Sequence, residues 1–414
     1  MISSLPICRL CGEELTTTFC DLGETPLANS YLESQDAIAA ERWYPLHARV
    51  CSTCLLVQVD DVVPAEDIFG NYAYFSSYSS SWLDHCAAFS KEMIDRLSLD
   101  STSLVVEIAS NDGYLLKNFV ERDIPVLGVE PAANVAEVAI AAGVRTEVAF
   151  FGEGTALRLL AQHGPADLMA ANNVFAHVPD LNDFTAGLAI LLAEEGVLSI
   201  ECPHLLRLVE GMQFDTIYHE HYSYFSLHAA INALERHGLR VFEVQQLKTH
   251  GGSLRMLICK KGSSQSVDES VNRVLADERN AGLNDPATYP AFHEKVRQIQ
   301  DGLVAFLTQE KELGRKVVAY GAAAKGNTLL NSSRIGTDLI EYAVDLNPHK
   351  QHHLLPGSHL AIKDPSQIYT DQPDTILILP WNLTDEVVAQ MSEARNWGAQ
   401  FVTAIPSISV HSKQ

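Results

Sequence analysis

Two pairs of cysteines, Cys8 with Cys11 and Cys51 with Cys54, constrain this chain more than any other feature. Each pair is spaced C-x-x-C, so both thiolates of a tight turn can face one tetrahedral zinc ion, and the second turn completes a closed four-sulfur site. A site closed by four protein ligands leaves no position for a substrate, so the spacing predicts one structural zinc ion rather than a catalytic one. Residues 12–50, between the pairs, form a longer gap than in compact zinc ribbons and imply an inserted hairpin or helix. The remaining Cys20, Cys86, Cys202 and Cys259 are scattered, and eight cysteines in 414 residues are too few for a disulfide scaffold. Charge then separates this module from nucleic-acid-binding zinc modules. Residues 1–60 hold no lysine and set Arg9, Arg42 and Arg49 against eight carboxylates. The whole chain sums to 29 basic minus 52 acidic residues, or −23, which would repel phosphate backbones and anionic lipid. No apolar run approaches the roughly 18 residues that span a bilayer, and the start, MISSLPICRL, lacks a basic flank followed by an apolar stretch. The expectation is a cytoplasmic protein with neither nucleic acid nor membrane as partner.

Beyond the cysteines the pattern becomes α/β. Strand-like runs SLVVEIA, VLGVEP, TEVAFF, DLMAANNVF and GVLSIECP alternate with helical stretches from about residue 103, the rhythm of a doubly wound parallel sheet. RVFEVQQL and SLRMLICKK are separated by a link too short for a parallel crossover, which predicts an antiparallel seventh strand. The polar GSSQSVDES marks a boundary. A long helix at about 286–313 follows, then a second αβ unit carrying KVVAYG, EYAVDLNP and DTILILPW. The expected regions are a zinc-binding module (1–70), a Rossmann-like α/β domain with the antiparallel seventh strand (71–262) and a C-terminal Rossmann-like domain (263–414).

Four motifs carry candidate chemistry. Glu107-Ile-Ala-Ser-Asn-Asp-Gly113 lies where the first strand turns into a helix. It lacks the glycines that a pyrophosphate needs, and matches the E-x-G-x-G-x-G frame of S-adenosylmethionine enzymes with Ala109 and Asn111 at the first two glycine positions. Asn111 tolerates left-handed geometry. Glu130, ending the second strand, can accept ribose hydroxyls; with Asp112, Asn172 and Asn173 it completes the candidate cofactor set. The cluster Tyr218-His-Glu-His-Tyr-Ser-Tyr224 concentrates groups that move protons near neutral pH, and His177 sits at the carboxyl end of the fourth strand, where ligands bind in such sheets. Tyr72, Tyr74 and Tyr78 form an aromatic-hydroxyl run that either lines the pocket or packs as a linker. Finally Gly321-Ala-Ala-Ala-Lys-Gly-Asn-Thr328 fails as a Walker A loop, because Asn327 holds the lysine position. Its small residues at a helix start, with Lys325, still suit a nucleotide-sugar phosphate.

The set CRLCG, CDLGETPLANSYL, CSTCLLVQ, EIASNDGYLL, NNVFAHV, FDTIYHEHYSYFS, THGGSLR and YGAAAKGNTLLN, in this order over nearly the whole chain, resembles the sugar C-methyltransferase family. The resemblance implies transfer of a methyl group from S-adenosylmethionine to a ring carbon of a nucleotide-linked keto-deoxysugar. It also implies a class I methyltransferase domain at residues 71–262, zinc ligands at Cys8, Cys11, Cys51 and Cys54, an active-site Y-x-E-H at Tyr218, Glu220 and His221, and further active-site positions at His177 and Tyr72. Because a methyl sulfonium makes a carbon–carbon bond only with a carbanion-like partner, the expected substrate is a 4-keto sugar methylated at carbon 3. His221, or a Tyr218–His221 pair, is then the expected base, and His177 the donor to the enolate. Three other readings remain open at this stage. An NAD-dependent nucleotide-sugar oxidoreductase would use the loop at 321–326 and Asp345; an O- or N-methyltransferase would need no acidic C–H; a zinc-anchored scaffold would have no chemistry.

Overall fold

The computed structural model describes residues 5–64, 68 and 76–411. Tyr72 and Tyr74 lie outside the described residues.

Beside the cysteine turns, β1 (Thr17–Thr25), β2 (Tyr44–Val50) and β3 (Val57–Val59) form an antiparallel sheet. In β2 the alternation is clean: Leu46, Ala48 and Val50 point inward between His47 and Arg49. The fourth strand of this sheet comes from far along the chain, where Ser223–Tyr224 pairs with β3 in the register Val57↔Tyr224 and Gln58↔Ser223. The zinc module is thereby stitched to the segment that carries His221.

The central sheet contains, in chain order, Val105–Ile108, Val126–Glu130, Thr146–Val148, Ala166–Asn172, Leu192–Pro203, Leu239–Leu247 and Ser253–Lys260. Numbered within this sheet from 1 to 7, they lie in the order 6-7-5-4-1-2-3. Strands 1 to 5 are parallel, and strand 7 runs antiparallel to both neighbours. The first strand, Val-Val-Glu-Ile, is buried throughout, as expected for the middle of a sheet covered by helices on both faces. Helices such as Ser80–Leu97, Leu181–Leu191 and Leu227–Glu235 start on side-chain caps from Ser79, Asp180 and Ser226.

Beyond helices Glu269–Asn280 and Pro290–Glu312, a six-stranded sheet forms, parallel except for its last edge strand Ser409–His411. Its middle strand Val317–Tyr320 leads through Gly321 into helix Ala324–Ser332. Apolar cores cross the regional boundaries. Cys8, Leu10 and Leu56 pack into the core of the central sheet, whereas Phe19, Leu46 and Val50 share one with Leu303 and Val317. Phe19 stacks on Phe292 of the long helix with ring centroids 4.5 Å apart. The zinc module is therefore wedged between the other two regions.

Candidate active site

The four cysteine sulfurs lie within 4.8 Å of one another, with Cys8–Cys54 at 3.5 Å and Cys11–Cys51 at 3.4 Å. A zinc ion with Zn–S bonds of about 2.3 Å requires S···S edges of about 3.8 Å, so the donor set fits that ion. Gln58 donates to Cys8 Sγ at 3.1 Å and accepts from the Arg9 backbone N–H at 2.9 Å, which orients the first turn. Gln58 carried no signal in the sequence, because its partner is fifty residues away.

The loop after the first central strand has the backbone that the glycine motif implies. Ala109, Asn111 and Gly113 all adopt positive φ, at +57°, +49° and +79°. Side chains of the loop also brace it. Asn111 Oδ1 accepts from Ser76 N at 2.9 Å, and Asp112 Oδ2 accepts from Ser77 N and Oγ at 3.1 and 2.5 Å. Glu130 accepts the backbone N–H groups of Asn111 and Ala132, each at 2.9 Å, so its carboxylate fixes the loop besides ending the strand. Glu107 is fully buried, and burial pushes its carboxyl well above the ordinary range. Asp112 Oδ1 and Asn173 Oδ1 are buried with no hydrogen-bond partner among the described residues. These are acceptors at the carboxyl end of the sheet, and adenosylmethionine, with its ammonium and ribose hydroxyls, supplies donors; the residues fit that cofactor.

Next to this loop lies the histidine cluster. Tyr218 and His221 pack with ring centroids 4.0 Å apart, and His177 meets His221 edge-on at 4.7 Å. All three side chains are half-buried. His221 Nδ1 donates to the Thr216 carbonyl at 2.9 Å, which fixes the tautomer and leaves the lone pair on Nε2. Burial holds His221 well below its ordinary pKa, with His177 and Lys325 adding to the effect. His177 is lowered to about 4 by burial, opposed by a hydrogen bond with the Glu220 backbone. Both imidazoles are therefore neutral at pH 7, the state required of a base and of a neutral donor. Burial pushes the Glu220 carboxyl up to about 6, against the opposing hydrogen bond from Asn29.

The C-terminal region closes on this cluster. Lys325 Nζ lies 4.8 Å from the Trp381 ring centroid and 3.2 Å from Asn382 Oδ1. Trp381 Nε1 donates to the buried Asp215 at 2.8 Å. Burial pushes Asp215 up to about 6, opposed first by the charge of Lys325. Gly321 is forced: its φ is +96°, and a Cβ there would meet Pro380 at 2.5 Å. Asn327 is fully buried and donates to the Ala28 carbonyl at 2.6 Å, so its amide ties the regions together. Tyr78, in the turn Ser76–Tyr78, is 73% exposed. His250, in the link between strands 6 and 7, faces Asn173 Nδ2 at 3.2 Å. Sequence reasoning assigned no role to Asp215, Trp381 or His250, since each acquires its neighbours through tertiary packing.

The strand order, the loop with three positive φ values and the histidine cluster at the same end of the sheet are those of a methyltransferase that uses S-adenosylmethionine. Family profiles match in three successive stretches: "Putative zinc binding domain" at residues 8–69, "Methyltransferase domain" at 83–244 and "C-methyltransferase C-terminal domain" at 248–406. The curated "C-methyltransferase NovU" of Streptomyces niveus is 34% identical over 98% of this chain and 97% of its own length. Among solved structures, an S-adenosylmethionine-dependent methyltransferase from Clostridium acetobutylicum is similar over 44% of this chain and 92% of its own, at 12% identity and a TM-score of 0.36. One from Mesorhizobium loti is similar over 42% and 99%, at 14% and 0.33. The chain belongs to the family of S-adenosylmethionine-dependent C-methyltransferases.

Proposed function

We propose that this C-methyltransferase acts in the cytoplasm on carbon 3 of a nucleotide-linked 4-keto-deoxysugar. The observation that carries the reading is the neutral His221, pinned through Nδ1 to Thr216 and packed between Tyr218 and His177. S-adenosylmethionine, when bound, supplies an electrophilic methyl group on sulfur. His221 Nε2 removes the proton from the ring carbon beside the ketone, and the C–H electron pair becomes that of an enolate. The enolate oxygen, where charge develops, takes the place of the Glu220 backbone carbonyl as acceptor of the His177 ring N–H. Bound beside the Glu107–Gly113 loop, S-adenosylmethionine would give up its methyl group to that enolate carbon and leave as S-adenosylhomocysteine. Burial depresses the basicity of His221, but the imidazolium forms beside a new negative charge, whose attraction in a water-poor cleft offsets that cost. Tyr218 holds the imidazole plane, and Glu220 grips a sugar hydroxyl.

The loop at 321–325 supports a nucleotide-linked substrate. No side chain caps helix Ala324–Ser332, so its first-turn N–H groups remain available to a phosphate. Lys325 and Lys350 bring positive charge, Lys350 Nζ lying 2.9 Å from the Ala322 carbonyl. Cys8, Cys11, Cys51 and Cys54 hold one structural zinc ion in this reading. Among the described residues no helix is long and apolar enough to cross a membrane.

Incubation with adenosylmethionine and a panel of nucleotide-linked 4-keto sugars should give a product heavier by one methylene in mass spectrometry. Without the methyl donor, the wild type should exchange the carbon-3 hydrogen for deuterium. His221→Ala should lower turnover by about 10² to 10⁴-fold, the range of general-base catalysis, and leave adenosylmethionine affinity unchanged. Full activity of that variant would exclude His221 as the base.

A further inference from the structure

Between β1 and β2 the zinc module sends out a strap, Pro26–Glu33, that leaves its own sheet and crosses to the active site. The strap is anchored on the C-terminal region on both sides of Asn29. Before it, the Ala28 carbonyl accepts from Asn327 Nδ2 at 2.6 Å. After it, the Tyr31 hydroxyl donates to the Ala322 carbonyl at 2.6 Å, and Leu32 and Leu354 exchange backbone hydrogen bonds at 3.0 and 2.8 Å. Farther on, Glu41 accepts from Gly357 N and pairs with His359 Nε2, both at 2.8 Å. Between these anchors Asn29 is solvent-accessible, yet its Nδ2 reaches the buried Glu220 Oε1 at 2.6 Å.

We propose that Asn29 is a positioning residue for methyl transfer: it aims the Glu220 carboxylate at the substrate, and the strap links that carboxylate to the loop at Gly321–Lys325. The proposal rests on the reading above, in which Glu220 faces the sugar. Nδ2 occupies one oxygen of Glu220 and leaves the other to accept from a substrate hydroxyl. The strap is short and doubly anchored, so a ligand that shifts Ala322 also shifts Asn29.

The electrostatics agree with the geometry. Burial drives Glu220 towards its protonated form, and the Asn29 hydrogen bond opposes this. Among the described residues, the titratable groups that bear on Glu220 or flank it in the chain are Tyr31 on the strap, His177 after the fourth central strand, and Tyr218, His219 and His221 beside it; Lys325 lies beyond, acting on His221. Burial keeps Tyr31 and the three histidines uncharged at neutral pH, so the neutral amide of Asn29 is the local support for the carboxylate.

The test uses the full-length protein and its Asn29→Ala and Asn29→Asp variants. Two quantities are followed with pH: kcat/KM for methyl transfer, and the Glu220 carboxyl band in infrared spectra after subtraction of the Glu220→Gln spectrum. In the wild type both should change near pH 6, activity falling as the carboxyl protonates. Asn29→Ala should move both steps up by roughly one pH unit, as expected for one lost hydrogen bond to the charged form, and lower kcat/KM about tenfold at pH 7, of which about twofold comes from protonation and the rest from the lost aim of the carboxylate. Asn29→Asp should lie lower still at pH 7, because two carboxylates then face each other. Adenosylmethionine affinity should stay constant throughout. Unmoved steps in a folded Asn29→Ala protein would overturn the proposal, as would a moved carboxyl step with unchanged kcat/KM. A moved carboxyl step in Asn29→Ala, together with a wild type that methylates no 4-keto sugar, would uphold the Asn29–Glu220 coupling and overturn the substrate.

Discussion

Ala109 sits at φ +57° in the first central loop, a conformation that costs an L-residue about 1–2 kcal/mol. The loop holds it there because its neighbours leave no alternative: the N–H groups of Ala109 and Ser110 both reach the Val129 carbonyl, and that of Asn111 reaches Glu130. Strain of this kind persists where surrounding structure over-determines the backbone, and such places are often ligand sites. Ala109→Gly should therefore stabilise the protein by about 0.5–1 kcal/mol, after the greater unfolded-state freedom of glycine is subtracted from the relieved strain. Ala109→Val should destabilise it by about 1–3 kcal/mol and weaken adenosylmethionine binding in calorimetry. A destabilising glycine would mean that the loop does not need this geometry. The same position shows what the sequence could and could not convey. The frame from Glu107 to Gly113 was legible, and so was the tolerance of Asn111 for left-handed backbone. That alanine takes the same conformation was not legible, since its propensity argues against it. Glu130 was read as a ribose acceptor from its place at a strand end, but its hydrogen bonds to Asn111 and Ala132 depend on a loop fold that no local pattern encodes.

The hairpin of the central sixth and seventh strands was readable as antiparallel from its short link alone, and it pairs over eight residues from Leu239↔Lys260 to Leu247↔Ser253. Its link does more than reverse the chain. His250, Gly251 and Gly252 have φ of +52°, +88° and +119° in succession, which brings backbone against neighbours that side chains would displace. A Cβ on Gly251 would meet Trp381 at 2.8 Å, and one on Gly252 would meet Arg207 at 2.6 Å. The Gly251 carbonyl accepts from Gln213 at 2.8 Å, and Thr249 donates to Glu201 at 2.9 Å. The link is thus a seam between the central sheet and the Trp381 turn. Gly251→Ala should cost about 2 kcal/mol in urea unfolding, through left-handed strain and the clash together. Its cost should shrink in a Trp381→Ala background, because the steric part needs the indole; equal costs in the two backgrounds would show that the contact is absent. By contrast, Ser223–Tyr224 could not be recognised as a strand from sequence. It is two residues long, and its partner Val57–Gln58 belongs to the N-terminal module, far away in sequence.

Across the whole molecule, the cysteine turns and His221, the proposed base, form one mechanical unit. Arg9, between the first two cysteines, donates to the Pro179 carbonyl at 3.0 Å and the Val59 carbonyl at 2.6 Å, and its guanidinium stands 5.2 Å from the ring centroid of Tyr222. Tyr222 is the residue after His221. Gln58 bonds to Cys8 and lies in register with Ser223, two residues beyond the histidine. The same module holds Glu220 through Asn29. None of these contacts touches the loop at Ala109–Gly113. Loss of metal should accordingly separate two properties that usually fail together. Cys54→Ser, or treatment with a strong chelator, should release one zinc ion per chain by elemental analysis and lower the melting temperature, as for other structural sites. Methyl transfer should then fall at least tenfold at a temperature where circular dichroism still shows a folded protein, because β3 and its two-residue partner strand no longer fix His221. Adenosylmethionine affinity in the same sample should change less than threefold, since its loop is braced by Glu130 and by the Ser76–Ser77 turn. Equal losses of transfer and affinity would indicate that the metal merely stabilises the fold as a whole, and unimpaired transfer in metal-free protein would detach the zinc module from the chemistry altogether.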